Sequence, residues 1–204
     1  MDLAYIRQSV KQHTPSVLGH DQMVKSAVLL PLIEKEGELH VLFEVRAETM
    51  RRQPGEVCFP GGRIDAGDKD AREAAIRETT EELGISSQAI SGVFPLDYLV
   101  TPFGMLISTY VGLISPREPL QPNASEVGDW FTVPLAFFLE TEPTIHHVHL
   151  QVKPDDSFPF DLIPGGEQYN WAAGKMDEYF YRYDDRIIWG LTAKILSHFV
   201  TIIQ

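Results

Sequence analysis

The sequence predicts an α/β protein, a mixed sheet with helices packed on it, and two observations lead there. Segments of strand character outnumber segments of helical character. The two longest helical stretches lie one inside the chain and one at its end, so strands surround the first and precede the second. Leu3, Ile6 and Val10 recur at helical spacing, which makes residues 2–12 a short amphipathic helix. Residues 24–33 read as a buried strand, 34–38 as a polar turn and 39–46 as the returning strand of a hairpin. Pro54, Gly55, Pro60, Gly61 and Gly62 make 47–62 a loop around a short strand at 57–59. Residues 70–83 hold no Gly or Pro and many helix formers; Asp68 is the expected N-terminal cap and Gly84 the left-handed terminator. Strands are expected at 98–101 and 106–113, a short helix at 134–139, an alternating strand at 146–152, and a pairing segment at 179–183. Ile188, Leu191, Ile195 and Phe199 fall on one stripe, which predicts a C-terminal helix over 187–203. Residues 153–178 are rich in Pro, Gly and Asp and read as an ordered excursion.

Length and charge narrow the function. A chain of 204 residues is expected to form one domain, 1–204, with helix 2–12 appended to a core of about 24–200. Seventeen Lys and Arg stand against 29 Asp and Glu, a net charge of −12. That balance argues against a nucleic-acid partner, which needs a basic face, and against a polybasic membrane anchor. A lone cysteine, Cys58, excludes an internal disulfide and a multi-cysteine zinc site. No leader and no run long enough to span a bilayer is seen, so a cytoplasmic protein is expected.

The chemistry concentrates in two strings, Phe59-Pro60-Gly61-Gly62-Arg63 and Arg77-Glu78-Thr79-Thr80-Glu81-Glu82-Leu83-Gly84-Ile85. On a helix, Glu78, Glu81 and Glu82 share a face. Three carboxylates there repel one another and oppose the helix dipole at its C-terminal end. A cation offsets both penalties, and a hard divalent ion such as Mg²⁺ takes oxygen ligands between carboxylates and substrate phosphates. Arg77 supplies a fixed positive neighbour, and the Gly61-Gly62 pair lets backbone come close to the site. The bland alternative is a solvated acidic helix end.

These strings resemble the Nudix box, Gx5Ex7REUxEExGU with U aliphatic. Arg77-Glu78, Glu81-Glu82, Gly84 and Ile85 match it. Gly62 lies one residue further from Arg77 than usual, Asp68 and Lys69 stand where the upstream glutamate is expected, and Thr79 replaces an aliphatic residue. The upstream run Arg46-Ala47-x3-Arg51-x3-Gly55-x3-Phe59-Pro60-Gly61-Gly62 resembles the motif of the coenzyme A pyrophosphatase branch, which often carries that extra residue. The strings Asn123-x2-Glu126-Val127 to Val133-Pro134-Leu135 and 188–193 are similar to it too.

The resemblance implies a Nudix fold, an α/β/α sandwich around a mixed β-sheet, and metal-dependent hydrolysis with Mg²⁺ or Mn²⁺. The implied substrate is a small nucleotide, coenzyme A or acyl-coenzyme A, cleaved to 3′,5′-ADP and (acyl-)4′-phosphopantetheine. Glu78 and Glu82 are the expected main ligands, with Glu81 sharing a metal or positioning water. Glu126 is the candidate general base, and Arg46, Arg51 and Arg63, with Gly61 and Gly62, are the candidate phosphate contacts. Two alternatives stand beside this: a Nudix hydrolase of another nucleoside diphosphate derivative such as ADP-ribose, and a non-catalytic nucleotide-binding module.

Other features carry less. His146, His147 and His149 do not converge on a strand, where the first points away from the other two, so an ordinary half-buried strand is expected. Cys58 reads as a small core residue, since no partner is evident to activate it. Pro164-Gly165-Gly166 lacks the lysine of a phosphate loop. Trp189 and Phe199 read as core aromatics. Trp130, Trp171 and Tyr169, Tyr179, Tyr181 and Tyr183 read as packing residues that could stack on adenine or border a homodimer.

Overall fold

The computed structural model describes residues 2–115 and 117–204. In chain order the elements are α1 (Leu3–Lys11), β1 (Val24–Lys35), β2 (Glu38–Arg46), β3 (Val57–Cys58), β4 (Gly61–Arg63), α2 (Ala71–Leu83), β5 (Ile90–Pro95), β6 (Leu99–Val100), β7 (Met105–Ile114), β8 (Val127–Pro134), α3 (Leu135–Glu140), β9 (Thr144–Leu150), β10 (Gly174–Tyr183), β11 (Arg186–Trp189) and α4 (Gly190–Ile203). The eight-stranded main sheet runs β3-β2-β1-β7-β5, with β4 on β1, β6 on β7 and β8 on β2. It is mixed: β1 runs parallel to β7 along its length and antiparallel to β2 and β4. The β1–β2 hairpin turns through Glu36 and Gly37, both at positive φ between the paired Lys35 and Glu38, a two-residue turn that matches the strand twist. A second, three-stranded antiparallel sheet follows in the order β11-β10-β9.

Alternation along β1 and β2 divides the core. Ala27, Leu29 and Leu42 face α2 and pack with Ala74, Ala75 and Leu83. Leu30, Leu32, Val41 and Phe43 face the other way, onto Phe138, Tyr181, Ile188, Leu196 and Phe199 of α3, the second sheet and α4. The result is the expected helix–sheet–helix sandwich. Arg186 ties the second sheet to the first: it pairs with Asp129 at 2.8 Å and lies over the Phe131 ring at 4.9 Å.

Several details depart from the sequence reading. Helix α1 is capped by Asp2 and amphipathic as expected, yet Leu3, Tyr5, Ile6 and Val10 are all exposed. The expected helix over 187–203 begins at Gly190, because residues 186–189 pair with β10 instead. β10 reaches back to Gly174, so the excursion ends there, and it contains two isolated helical turns. Strand β9 is mostly exposed rather than half-buried. Its three histidines diverge as expected, His147 pairing with Asp177 at 2.7 Å and His146 packing edge-on against Phe180. No helix among the described residues is long and apolar enough to cross a membrane.

Candidate active site

Helix α2 sets the frame. Its cap is Asp70, whose side chain accepts from the Glu73 N–H at 2.9 Å, and Gly84 ends the helix in the left-handed conformation. Asp68, the cap expected from sequence, is used elsewhere. Its two oxygens grip Arg77, Nε donating to Oδ1 at 2.9 Å and Nη2 to Oδ2 at 3.0 Å. The same guanidinium donates to Glu78 Oε1 at 3.0 Å, Glu81 Oε2 at 3.2 Å and the Arg63 carbonyl at 3.2 Å. Hydrogen bonds to Asp68 lead the causes that hold Arg77 firmly charged. Thr79, at the aliphatic position of the box, is fully buried because its hydroxyl donates back to the Ala75 carbonyl at 2.7 Å.

The acidic trio therefore divides. Glu78 and Glu81 lean on Arg77, the first partly buried and the second exposed. Glu82 turns inward, is only 7% exposed, and accepts the Gly61 N–H on Oε2 at 2.8 Å. Burial pushes its pKa up to about 8, with Glu78 and Glu126 adding to the rise and the Gly61 hydrogen bond opposing it. Burial likewise raises Glu78, against the pull of Arg77.

A fourth carboxylate, Glu44 on β2, belongs to this group and was missed from sequence. It is 1% exposed, and its Oε1 is buried without a hydrogen-bond partner. Burial, then the charge of Glu82, drives its pKa well up, against Arg46. The signal was present: a glutamate interrupts the otherwise apolar run Val41-Leu42-Phe43-Glu44-Val45.

Backbone comes close where the glycines are. A Cβ on Gly62 would overlap the Glu78 carboxylate, and one on Gly61, at φ 154°, would strike the Ala27 carbonyl and Val28. Glu126 reaches the group from the loop before β8. That loop is tied to the end of α2 by the Gln121 and Asn123 N–H groups, which donate to the Leu83 and Glu82 carbonyls at 2.9 Å each. Asn123 Nδ2 donates to Glu126 Oε2 at 3.2 Å, and the Glu126 charge adds to the rise of Glu44, Glu78 and Glu82 alike.

A cleft of about 490 Å³ opens beside these groups. Arg46, Cys58, Gly61 and Gly62 lie in its wall. Leu99, Phe103, Met105 and Ile107 continue it, and Met176, Trp189, Leu191 and Lys194 close it from the C-terminal sheet and α4. Of the three expected phosphate contacts, only Arg46 lines the cleft. Arg51 lies exposed in the 47–56 loop, and Arg63 gives its carbonyl to Arg77. Cys58 is half-buried, with its thiol pushed up to about 12 by burial and then by the charge of Glu44, so it is no nucleophile. Trp189, expected in the core, is partly exposed on the cleft wall.

Among the described residues, no three His, Cys, Asp or Glu side chains stand ready as a metal centre. Arg77 pairs with Glu78 and Glu81, and the Gly61 N–H donates to one oxygen of Glu82. The chemistry of the donor set nevertheless fits a hard divalent cation. All donors are oxygens, two of the carboxylates are buried within range of each other's charge, and one buried oxygen lacks a partner.

Comparison with known proteins identifies the family. The NUDIX domain family model matches residues 23–155. Mouse peroxisomal coenzyme A diphosphatase NUDT7 is 40% identical over 124 residues, which is 61% of this chain and 52% of that protein, so the match spans about half the relative's length. The uncharacterized Nudix hydrolase NudL of Photorhabdus laumondii is 34% identical over 179 residues, 88% of this chain and 84% of that protein. Among solved structures, a C. elegans Ap4A hydrolase binary complex aligns at TM-score 0.46 and 21% identity, covering 57% of this chain and 84% of that one. With the box helix, the glycine pair and the family match all falling on the same stretch, this chain belongs to the Nudix hydrolase family.

Proposed function

We propose that the chain hydrolyses the pyrophosphate bond of coenzyme A or acyl-coenzyme A, giving 3′,5′-ADP and (acyl-)4′-phosphopantetheine. The observation that carries this reading is the cleft. It joins the Gly61-Gly62 backbone beside the carboxylates to a largely apolar wall that bears two cations, Arg46 and Lys194, and two carboxylates, Glu56 and Glu178. A pyrophosphate with a charged nucleotide on one side and a pantetheine arm on the other fits such a surface. The likeness to a coenzyme A diphosphatase supports it.

Glu78 and Glu82, with Glu81 beside them, are the residues that would hold Mg²⁺ or Mn²⁺. The ion when bound neutralises phosphate oxygens and acidifies water. The rest falls to the chain. Gly61 and Gly62 let their backbone lie against β1 and against the Glu78 carboxylate, where any side chain would intrude. Arg46 offers its fork to a phosphate oxygen from the cleft wall. Arg77, anchored by Asp68, keeps Glu78 and Glu81 from swinging away into solvent. Glu126 has its Oε2 engaged by Asn123, which leaves Oε1 to accept a proton from the attacking water.

The test is product analysis after incubation with coenzyme A, a medium-chain acyl-coenzyme A and ADP-ribose, each with Mn²⁺ or Mg²⁺. Release of 3′,5′-ADP at the highest rate is the expected result. Preference for ADP-ribose overturns the substrate assignment. Tight binding without turnover at saturating metal overturns the enzymatic one.

A further inference from the structure

We propose that Glu44 is a further carboxylate ligand of the divalent-cation site, entering from strand β2 of the sheet to meet Glu82 entering from α2. The proposal rests on the reading that these carboxylates hold a divalent ion, and it extends the ligand set beyond the helix.

Position comes first. Leu42 faces the α2 side of the sheet, so alternation puts Glu44 on that side as well, just before the register shift at Val45 and Arg46. Glu44 pairs across the sheet with Cys58 of β3, only a few residues before the Gly61 N–H that holds Glu82. From the opposite flank, the Glu126 carbonyl accepts the Ala47 N–H at 2.8 Å, which brings the start of β8 to the end of β2. Glu44 is thus enclosed by strands on both sides and by the end of α2.

Energetics come second. A carboxylate that is 1% exposed with one oxygen unpartnered costs several kcal/mol unless something satisfies it. An apolar residue at this point in the run would avoid that cost. The nearby cation offsets it only in part: the Arg46 charge acts on Glu44, but Glu44 Oε1 keeps no hydrogen-bond partner and Arg46 Nε donates to the Arg52 carbonyl at 3.3 Å. On the far rim, Arg77 serves Glu78 and Glu81. The inner pair, Glu44 and Glu82, is where positive charge is short. A divalent cation would answer that shortage, with Glu44 and Glu82 as the carboxylates that would hold it.

The test is Mn²⁺ binding to the whole protein without nucleotide, measured by calorimetry and by the electron paramagnetic resonance signal of free Mn²⁺. Glu44→Gln keeps the shape and removes the charge. Glu44→Met is an apolar substitute that folds without a buried amide to satisfy. Both are expected to weaken Mn²⁺ binding at least ~10-fold, while the metal-free melting temperature stays level or rises. Wild-type affinity in a folded Glu44→Gln or Glu44→Met protein overturns the assignment and leaves Glu44 a buried acid that shares a proton with its neighbour. Failure of the wild type to bind Mn²⁺ at all overturns the divalent-ion reading itself. Because no substrate is present, neither result depends on which pyrophosphate the enzyme cleaves.

Discussion

Replacing Glu82 by Gln trades activity for stability, and the size of the trade follows from the site. In the metal-free fold the Glu82 carboxyl titrates near 8, against an ordinary value of 4.5. A folded-state pKa raised in this way contributes stability that is complete below about 4.5 and is lost as pH climbs towards about 8. At pH 7.5 the folded chain must keep protonated a group that the unfolded chain ionises, at about 1.4 kcal/mol per pH unit of separation. The upper figure is about 4 kcal/mol, and relaxation lowers it. At pH 5 the same penalty is under ~1 kcal/mol. The Gln variant escapes it, and its amide oxygen can still accept the Gly61 N–H. Urea denaturation in the presence of a chelator is therefore expected to show Glu82→Gln more stable than wild type at pH 7.5, by up to ~4 kcal/mol, with the gap nearly closed at pH 5. Added Mg²⁺ is expected to stabilise the wild type and to do much less for the variant. Turnover is expected to fall at least ~10²-fold. A variant no more stable than wild type at pH 7.5, or equally favoured at both pH values, would refute the claim that Glu82 is held as a buried acid awaiting a cation.

Other substitutions separate fold from chemistry. Gly62→Ala meets only the far end of the Glu78 side chain, so it is expected to retain nearly full thermal stability while losing ~10²-fold in turnover. Gly61→Ala meets Ala27 backbone at a positive φ and is expected to cost several kcal/mol of stability, seen as a strongly lowered melting temperature in the same thermal scan. Glu126→Gln is expected to reduce kcat by ~10²-fold with KM little changed, as steady-state kinetics would show. Arg77→Lys cannot grip Asp68 with two nitrogens while reaching Glu78 and Glu81; a loss of ~1–2 kcal/mol by denaturation and a weaker Mn²⁺ affinity are expected. Cys58 is expected to remain unmodified by thiol reagents at pH 8, as a mass spectrum after exposure would show.

Much of the site was legible because its spacing is local. Glu78, Glu81 and Glu82 sit within one turn of a helix whose limits are marked by a capping aspartate and Gly84, so period alone placed them together. The glycine pair announced a close approach for the same reason. What escaped depends on partners far along the chain. Asp68 and Asp70 are equally good caps on paper, and only the fold of the loop, which carries Asp68 to Arg77, separates them. Glu44 reads as one polar break in an apolar run until β3, β8 and α2 enclose it. Strands β5 and β8 lack a clear period-two pattern, with glycine and proline in each. The apolar stripe of Ile188 and Leu191 runs across a strand-to-helix junction, which periodicity reads as one helix.

The cleft is assembled from two stretches of chain with different allegiances. Its floor and hydrolytic edge come from residues inside the family match at 23–155, whereas Met176, Trp189, Leu191 and Lys194 come from beyond it. Substitutions at these four positions are thereby expected to reshape one side of the cleft while the carboxylates of α2 stay as they are.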